Sequence, residues 1–160
     1  MDFTTLLIGL VVIAVCAVPV VLLSNTNKKQ GAKLLKRMQK EVSKMHCQLT
    51  LHDVCGDFML GMDEPIRKVF FLKELKYDMI FQVLDLNDMS QCKVILVDRS
   101  IGKKSSETRV TERIELQFTP KDKGKSVVSL LLYEANDNPV IGDELLIANK
   151  WAERIQYLLK

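Results

Sequence analysis

Apolar and polar residues follow one another in several distinct patterns along this chain, and the first pattern is the simplest. Residues Phe3 to Leu23 form a run of 21 residues without a single charge. As a helix this run would be roughly 31 Å long, close to the thickness of the hydrocarbon core of a bilayer. It lacks the polar face that a helix of a water-soluble domain carries. We therefore predict a transmembrane anchor over residues 1–24.

The charges that flank the apolar run separate an anchor from a cleaved signal peptide and orient it. A signal peptide begins with basic residues, whereas Asp2 is the only charged side chain before this run. Lysine and arginine beside a membrane helix stay on the cytoplasmic side, and here they all follow the run. We expect a single-pass protein of the cell membrane with its N-terminus outside and its C-terminal domain cytoplasmic. Cleavage is the minor alternative.

Residues 25–49 predict a basic juxtamembrane helix. Apolar residues spaced three and four apart form a stripe over 28–49, made of Leu35, Met38, Val42, Met45 and Leu49. The remaining surface is basic and comprises Lys28, Lys29, Lys33, Lys36, Arg37, Lys40 and Lys44. We expect these seven side chains to contact the membrane surface.

The apolar stripe of this helix has three interpretations. It packs onto the following domain, it forms a homodimer seam, or it belongs to a helix that lies on anionic lipid. Two heptads are few for a coiled coil, and attraction of the lysines to lipid headgroups is compatible with all three interpretations.

Residues 50–160 predict a cytoplasmic domain built from short strands. Ile114, Leu116 and Phe118 alternate with polar residues, which is typical of a half-buried strand. Asp63-Glu64-Pro65 separates two apolar runs and indicates a hairpin turn. Further apolar runs predict strands over 78–84, 91–98 and 127–133. Residues 46–54 fit either one more strand or a continuation of the basic helix.

The chain ends in a pattern of helical period. Asp143 and Glu144 suit a first helical turn. One face of the predicted helix is apolar and consists of Leu145, Ala148, Ala152, Ile155 and Leu159. Strands in short succession followed by one helix predict an α+β fold, with an antiparallel six- or seven-stranded sheet or barrel closed by the C-terminal helix.

This arrangement resembles the pleckstrin-homology-like fold. Leu60-Gly61-Met62-Asp63-Glu64 followed by Val69-Phe70-Phe71-Leu72 is similar to the first hairpin of that group. The segment from Met79 to Met89 is similar to its central strand, acidic-apolar step and next strand. The resemblance implies binding of lipid headgroups or proteins rather than catalysis. The turn Asp63-Glu64-Pro65 departs from the basic signature of phosphoinositide binders, so specific phosphoinositide recognition is not expected.

Charge and cysteine distribution exclude several functional classes. The basic segment from Asn25 to Gln48 carries a net charge of +6 within a chain of net charge +3, so the rest is slightly acidic and unsuited to nucleic acid. The four cysteines and two histidines lack zinc-ligand spacing. No glycine-rich phosphate loop occurs. A Cys–His pair, such as Cys55 with His52, is possible in principle as a nucleophile and base. We expect no cofactor, no metal and no catalytic site.

The expected function is a membrane-tethered cytoplasmic binding or scaffolding module without catalytic activity. Its expected partners are the lipid bilayer and an unknown protein, with a homodimer through the juxtamembrane helix as an option and nucleic acid excluded. A peripheral sensor of anionic lipid is the first alternative. An enzyme with an unrecognised site is the second.

Overall fold

The computed structural model of the chain describes residues 29–101, 108–137 and 140–160. These residues form two α-helices and seven strands, with a short 3-10 helix at Leu86–Asp88. In chain order the elements are α1 (29–44), β1 (Leu51–Cys55), β2 (Phe58–Asp63), β3 (Lys68–Glu74), β4 (Met79–Asp85), β5 (Met89–Ile101), β6 (Thr108–Pro120), β7 (Val128–Glu134) and α2 (Glu144–Leu158).

Seven strands form two antiparallel meanders. Sheet A has the order β1-β2-β3-β4, and sheet B has the order β5-β6-β7. Sharp turns join the strands of sheet A: Gly56, between β1 and β2, has a φ of +52°, and Arg67, before β3, has a φ of +56°. The hairpin turn predicted at residues 63–65 is confirmed, as are the α+β class and the antiparallel pairing of the strands. The strands form two sheets, of four and three strands, where a single sheet or barrel was predicted.

The two sheets share one hydrophobic core. Strand periodicity divides β2 into Phe58, Leu60 and Met62 on an inner face and Met59 and Gly61 on an outer face. The inner-face residues pack with buried residues of sheet B, among them Leu116 and Phe118. The predicted alternation in β6 is confirmed, because Ile114, Leu116 and Phe118 are buried between more exposed neighbours.

Helix α1 covers the outer face of sheet A. Its Leu34, Met38 and Val42 are buried in a second cluster with Phe70 and Leu72 of β3. The predicted stripe therefore packs onto the domain, which is the first of the three interpretations. Its position is shifted by one residue at the start, since Leu34 is fully buried and Leu35 only partly.

The helix ends at residue 44, so the prediction of a helix reaching residue 49 was wrong. His46 adopts a φ of +55° and donates its N–H to the Ser43 carbonyl, while the Cys47 N–H reaches the Val42 carbonyl. These two bonds form a Schellman motif, in which a left-handed residue satisfies the last helical carbonyls. Residues 51–54 belong to β1, which resolves the alternatives for that segment in favour of a strand.

Gly61 lets the chain after α1 pass closely over β2. A Cβ built at Gly61 would overlap the Leu49 side chain. Any larger residue there would force the Leu49 side chain to move. The buried Asp63 carboxylate fixes the same segment by accepting the Gln48 N–H at 2.6 Å.

Helix α2 closes the shared core from the side opposite α1. Ala148, Trp151 and Ile155 are fully buried, and Leu145, Ala152 and Leu159 pack at the margin of the core. The predicted apolar face is thus confirmed, with Trp151 at its centre. The Trp151 Nε1 donates to Asp53 Oδ2 of β1 at 2.8 Å, which links the helix to sheet A.

Within the residues that the structure describes, no helix combines the length and the apolar composition needed to cross a membrane. The predicted anchor over residues 1–24 and the basic residue Lys28 lie outside the described ranges.

Candidate functional site

The basic side chains of α1 lie together on the face of the helix that points away from sheet A. At 3.6 residues per turn, the six described positions fall within an arc of about 100°, opposite the buried stripe. They are Lys29, Lys33, Lys36, Arg37, Lys40 and Lys44. With a rise of about 1.5 Å per residue, this basic face of α1 extends for about 22 Å.

Two acidic residues neutralise part of the basic face of α1. Glu74, the last residue of β3, accepts from Lys33 Nζ at 2.7 Å and from Arg37 at 2.8 Å. The hydrogen bond from Lys33, followed by the charges of both bases, lowers the pKa of Glu74 below its ordinary value. Glu41 accepts from Lys44 at 2.7 Å within the helix. The Glu74 carboxylate is therefore ionised at neutral pH, and the face keeps a positive excess because six basic residues face two acidic ones.

Three lysines of this face form no ion pair with another described residue. Lys29, Lys36 and Lys40 are exposed to solvent, and each carries three N–H donors on a flexible stem. Such an array suits many weak contacts with a negatively charged surface rather than one shaped anion site. The structure thus brings together six of the seven predicted contact residues.

A second polar feature is a cleft of about 270 Å³ at one end of the sheets. Its lining includes Asp57 from the β1–β2 turn, Lys73 of β3, and Glu144 at the start of α2. The Lys73 side chain is only 3% exposed; its Nζ lies 3.4 Å from the Leu131 carbonyl oxygen and 3.7 Å from Asp57 Oδ2. Burial raises the pKa of Asp57, and the Lys73 charge opposes that shift.

The polar residues of this cleft are explained by an ion pair between the buried Lys73 and the partly exposed Asp57, and this pair stabilises the fold. A buried ammonium needs an oppositely charged partner, and Asp57 provides it. Lys73 was not singled out from the sequence. The available signal was its place in the alternation Val69, Phe71, Lys73, which puts a charge on the inner face. No group of three or more potential metal-ligating side chains occurs among the described residues.

The conceivable Cys55–His52 pair is not brought together. Three residues apart on β1, the two side chains point to opposite faces of sheet A, since strand side chains alternate. His52 is exposed, whereas Cys55 packs against the inner core. Burial, together with the charges of Glu144 and Asp143, raises the pKa of the Cys55 thiol to about 11. This thiol is protonated at neutral pH and is a poor nucleophile.

Other polar residues have structural roles. Asp85 Oδ1 accepts the Asn87 N–H at 2.9 Å and caps the 3-10 helix. Arg113 of β6 donates to Glu115 and to Glu134 of β7 on the outer face of sheet B. These contacts are local, and the residues need no ligand to explain them.

No protein-family model matches the chain, and neither a curated protein nor a solved structure shows significant similarity to it.

Proposed function

We propose that the chain is a membrane-tethered binding or scaffolding module without catalytic activity. In this proposal residues 1–24 anchor it in the cell membrane with the N-terminus outside. Residues 25–49 connect the anchor to a cytoplasmic domain formed by residues 50–160. Protein partners bind that domain, and the bilayer is its second partner.

The observation that carries the proposal is the division of α1 into two faces. The apolar face packs against sheet A, so the helix is fixed to the domain of residues 50–160 and is not a flexible tether. No described helix or strand covers the basic face, which begins only a few residues beyond the predicted anchor. A helix placed this way fixes the distance and orientation of the domain relative to the leaflet. A homodimer through the same apolar face would require α1 to leave the sheet.

The properties of the candidate nucleophiles support a non-catalytic module. The pKa of Cys55 is raised to about 11, and burial raises the pKa of Cys92 to about 12. Neither thiol has the low pKa of a catalytic cysteine. The two histidines are exposed on the surface and do not face these thiols across a cleft.

The order of the elements supports the finer assignment to a pleckstrin-homology-like fold. Four antiparallel strands, three antiparallel strands and one closing helix match the arrangement implied by the resemblance. Domains of that group bind lipids or proteins, which agrees with a module whose role is recognition.

The test of the proposal uses the full chain in membranes. We expect it to remain in the pellet after alkaline carbonate extraction. In sealed right-side-out vesicles the C-terminal domain should be protected from added protease, and lysis should abolish that protection. Crosslinking in intact membranes, followed by detergent extraction, should return a defined protein partner in constant ratio. A chain that is extracted by carbonate, or that crosslinks to nothing, contradicts the proposal.

A sensor of anionic lipid is the second candidate function, and the three unpaired lysines of α1 favour it. Both hydrophobic clusters consist of residues from Leu34 onward, so residues 25–160 retain every side chain that is buried in the described part of the chain. This fragment should bind vesicles that contain phosphatidylglycerol and should not bind vesicles of phosphatidylcholine alone. Each lysine near such a surface contributes about 1 kcal/mol.

The matched variants for this test change the same number of charges. Replacing Lys29, Lys36 and Lys40 by glutamine should weaken binding about a hundredfold, at about 1 kcal/mol per lysine. The control replaces the exposed Lys93, Lys121 and Lys123, which lie on β5 and on the β6–β7 turn. Equal losses in the two triple variants would show that binding follows total charge and not the basic face of α1.

A further inference from the structure

The turn between β3 and β4 presents residues typical of a membrane interface. It consists of Leu75, Lys76, Tyr77 and Asp78, and the Leu75 N–H donates to the Asp78 carbonyl at 2.8 Å. The Met79 N–H donates to Asp78 Oδ1 at 2.7 Å, so this exposed carboxylate is held within the turn by one of its oxygens. The turn is therefore ordered by its own hydrogen bonds, and it leaves its other side chains free.

Tyr77 is the most exposed large apolar side chain of the described residues. Its relative exposure is 90%, and its one ring contact is with Lys76, whose Nζ lies 5.4 Å from the ring centroid. Leu75 beside it is also exposed. A tyrosine next to a lysine and a leucine is the combination that favours the headgroup region of a bilayer, where an amphipathic ring contacts both water and acyl chains.

The turn lies beside the basic face of α1. Glu74 directly precedes it and is held by Lys33 and Arg37 of that face. Because these two ion pairs neutralise Glu74, the surface between helix and turn carries no uncompensated carboxylate from β3. Lys76 continues the positive charge of α1, and Tyr77 adds an interfacial ring at its margin.

Exposure alone does not distinguish Tyr77, because Tyr157 on α2 is 78% exposed. The surroundings of Tyr157 differ in charge and in position. Near it, Lys150 and Arg154 are paired with Asp53 and Glu64. Helix α2 also covers the inner side of sheet A, whereas α1 covers the outer side. Tyr157 therefore lies away from the basic face and serves as a natural control.

We propose that Leu75, Lys76 and Tyr77 form one docking surface with the basic face of α1, and that this surface binds the headgroups of an anionic leaflet. The occupant follows from charge complementarity along the helix and from the interfacial character of the turn. The phenol ring of Tyr77 lies among the headgroups, and Lys76 contacts their phosphates. This inference rests on the proposed function, which places the domain next to the membrane.

The experiment uses the fluorescence of an indole placed in the turn. The single native tryptophan, Trp151, is buried in the core, so a Tyr77→Trp variant adds one accessible reporter. The full chain is reconstituted in vesicles of phosphatidylcholine and phosphatidylglycerol whose acyl chains carry bromine. We expect the fluorescence emission of the added indole to shift to shorter wavelength and to be quenched by the bromine. The indole of a Tyr157→Trp variant should show neither the shift nor the quenching. Absence of quenching in the Tyr77→Trp variant overturns the inference.

A charge variant gives a second readout. Lys76→Gln in residues 25–160 should lower partitioning onto phosphatidylglycerol vesicles about fivefold, as expected for loss of one lysine near the surface. Lys93→Gln, on β5, should leave partitioning unchanged. An equal effect of both variants, or none of Lys76→Gln, contradicts the proposed surface.

These experiments separate the inference from the proposed function. If carbonate extracts the full chain, the membrane-tethered function fails, and quenching is then measured with residues 25–160 added to the same vesicles. Quenching of the Tyr77→Trp indole in that fragment supports the docking surface independently of an anchor. If the full chain stays in the bilayer but the indole remains in water, only the inference fails.

Discussion

The two sheets of this protein differ in how deeply their central strands are buried. In sheet A every residue of β2 is buried, and so are the five central residues of β3. In sheet B the strand β6 alternates between buried and partly exposed residues over 113–118. The difference comes from α1, which covers the outer face of sheet A. Among the described elements, none covers the outer face of sheet B in the same way.

The comparison shows that the apolar pattern of a strand depends on whether one or both faces of its sheet are covered. A sheet covered on one side needs apolar residues at alternate positions only, whereas a sheet covered on both sides needs them at nearly every position. Val69 to Leu72 are four consecutive apolar residues under a helix and above a core. This continuous run therefore marks the strand that α1 covers.

The largest expected effect is a difference in the free energy of unfolding between two matched leucine substitutions, one on the outer face of each sheet. Leu72 of β3 is fully buried beneath α1, so Leu72→Ala should lower the free energy of unfolding by about 2–5 kcal/mol. Leu131 of β7 is paired with Glu115 on the outer face of sheet B and is only partly buried. Leu131→Ala should cost about 1 kcal/mol or less. Urea denaturation of residues 25–160 measures both.

The same pair of variants can contradict the comparison of the two sheets. If the two substitutions cost equal amounts, α1 does not cover sheet A in solution, and the domain carries two open faces. Circular dichroism of the folded variants provides the control, since both must keep the native content of strand and helix.

The second prediction concerns the inner side of sheet A, where α2 is attached. Asp53→Ala leaves the buried Trp151 N–H without its acceptor, and this should cost about 1–3 kcal/mol. Asp53→Asn keeps an acceptor for Trp151 and loses only the exposed ion pair with Lys150, so its cost should stay below about 1 kcal/mol. Thermal unfolding checks both. An equal loss for alanine and asparagine would assign the role to charge instead of the hydrogen bond.

Much of the fold was predictable because short sequence patterns indicate its strands and turns. The alternation at Ile114, Leu116 and Phe118 and the turn at residues 63–65 each gave the correct element. The end of α1 was missed because its left-handed position holds His46 instead of the glycine that usually marks such a cap. The hydrogen bonds of this cap run to the Ser43 and Val42 carbonyls, and without a glycine the sequence does not mark the position where they form.

The basic residues of the candidate site could be predicted from the sequence, but the residues that they contact could not. The six basic residues of α1 were identified from the sequence, and helical geometry places them on one face. Their partner Glu74 lies 37 and 41 positions away from them along the chain, so only the folded structure brings it to Arg37 and Lys33. The same holds for Tyr77, whose position beside α1 depends on the register of β3 with β4.

The third prediction tests the contact that joins α1 to the edge of sheet A. Glu74→Gln removes the negative charge that holds Lys33 and Arg37, and it should lower the free energy of unfolding by about 0.5–1 kcal/mol. The effect is small because both basic side chains are largely exposed. Glu112→Gln on β6 is the matched control, since none of the ion pairs given for the described residues involves Glu112. A loss as large as that of Leu72→Ala would mean that the ion pairs contribute as much as apolar packing to the attachment of α1.

The smallest effect is the pH dependence of that same contact, and its sign follows from Glu74. Its pKa is lowered from the ordinary 4.5, so the folded protein binds fewer protons at this site than the unfolded chain. The contribution of Glu74 to stability is complete above pH 4.5 and is lost as the pH falls through the lowered value. The wild type and Glu74→Gln should therefore differ at neutral pH and converge in acid, as measured by urea unfolding across that range. A difference that persists in acid would show that the substitution disturbs packing, because a protonated Glu74 no longer attracts α1.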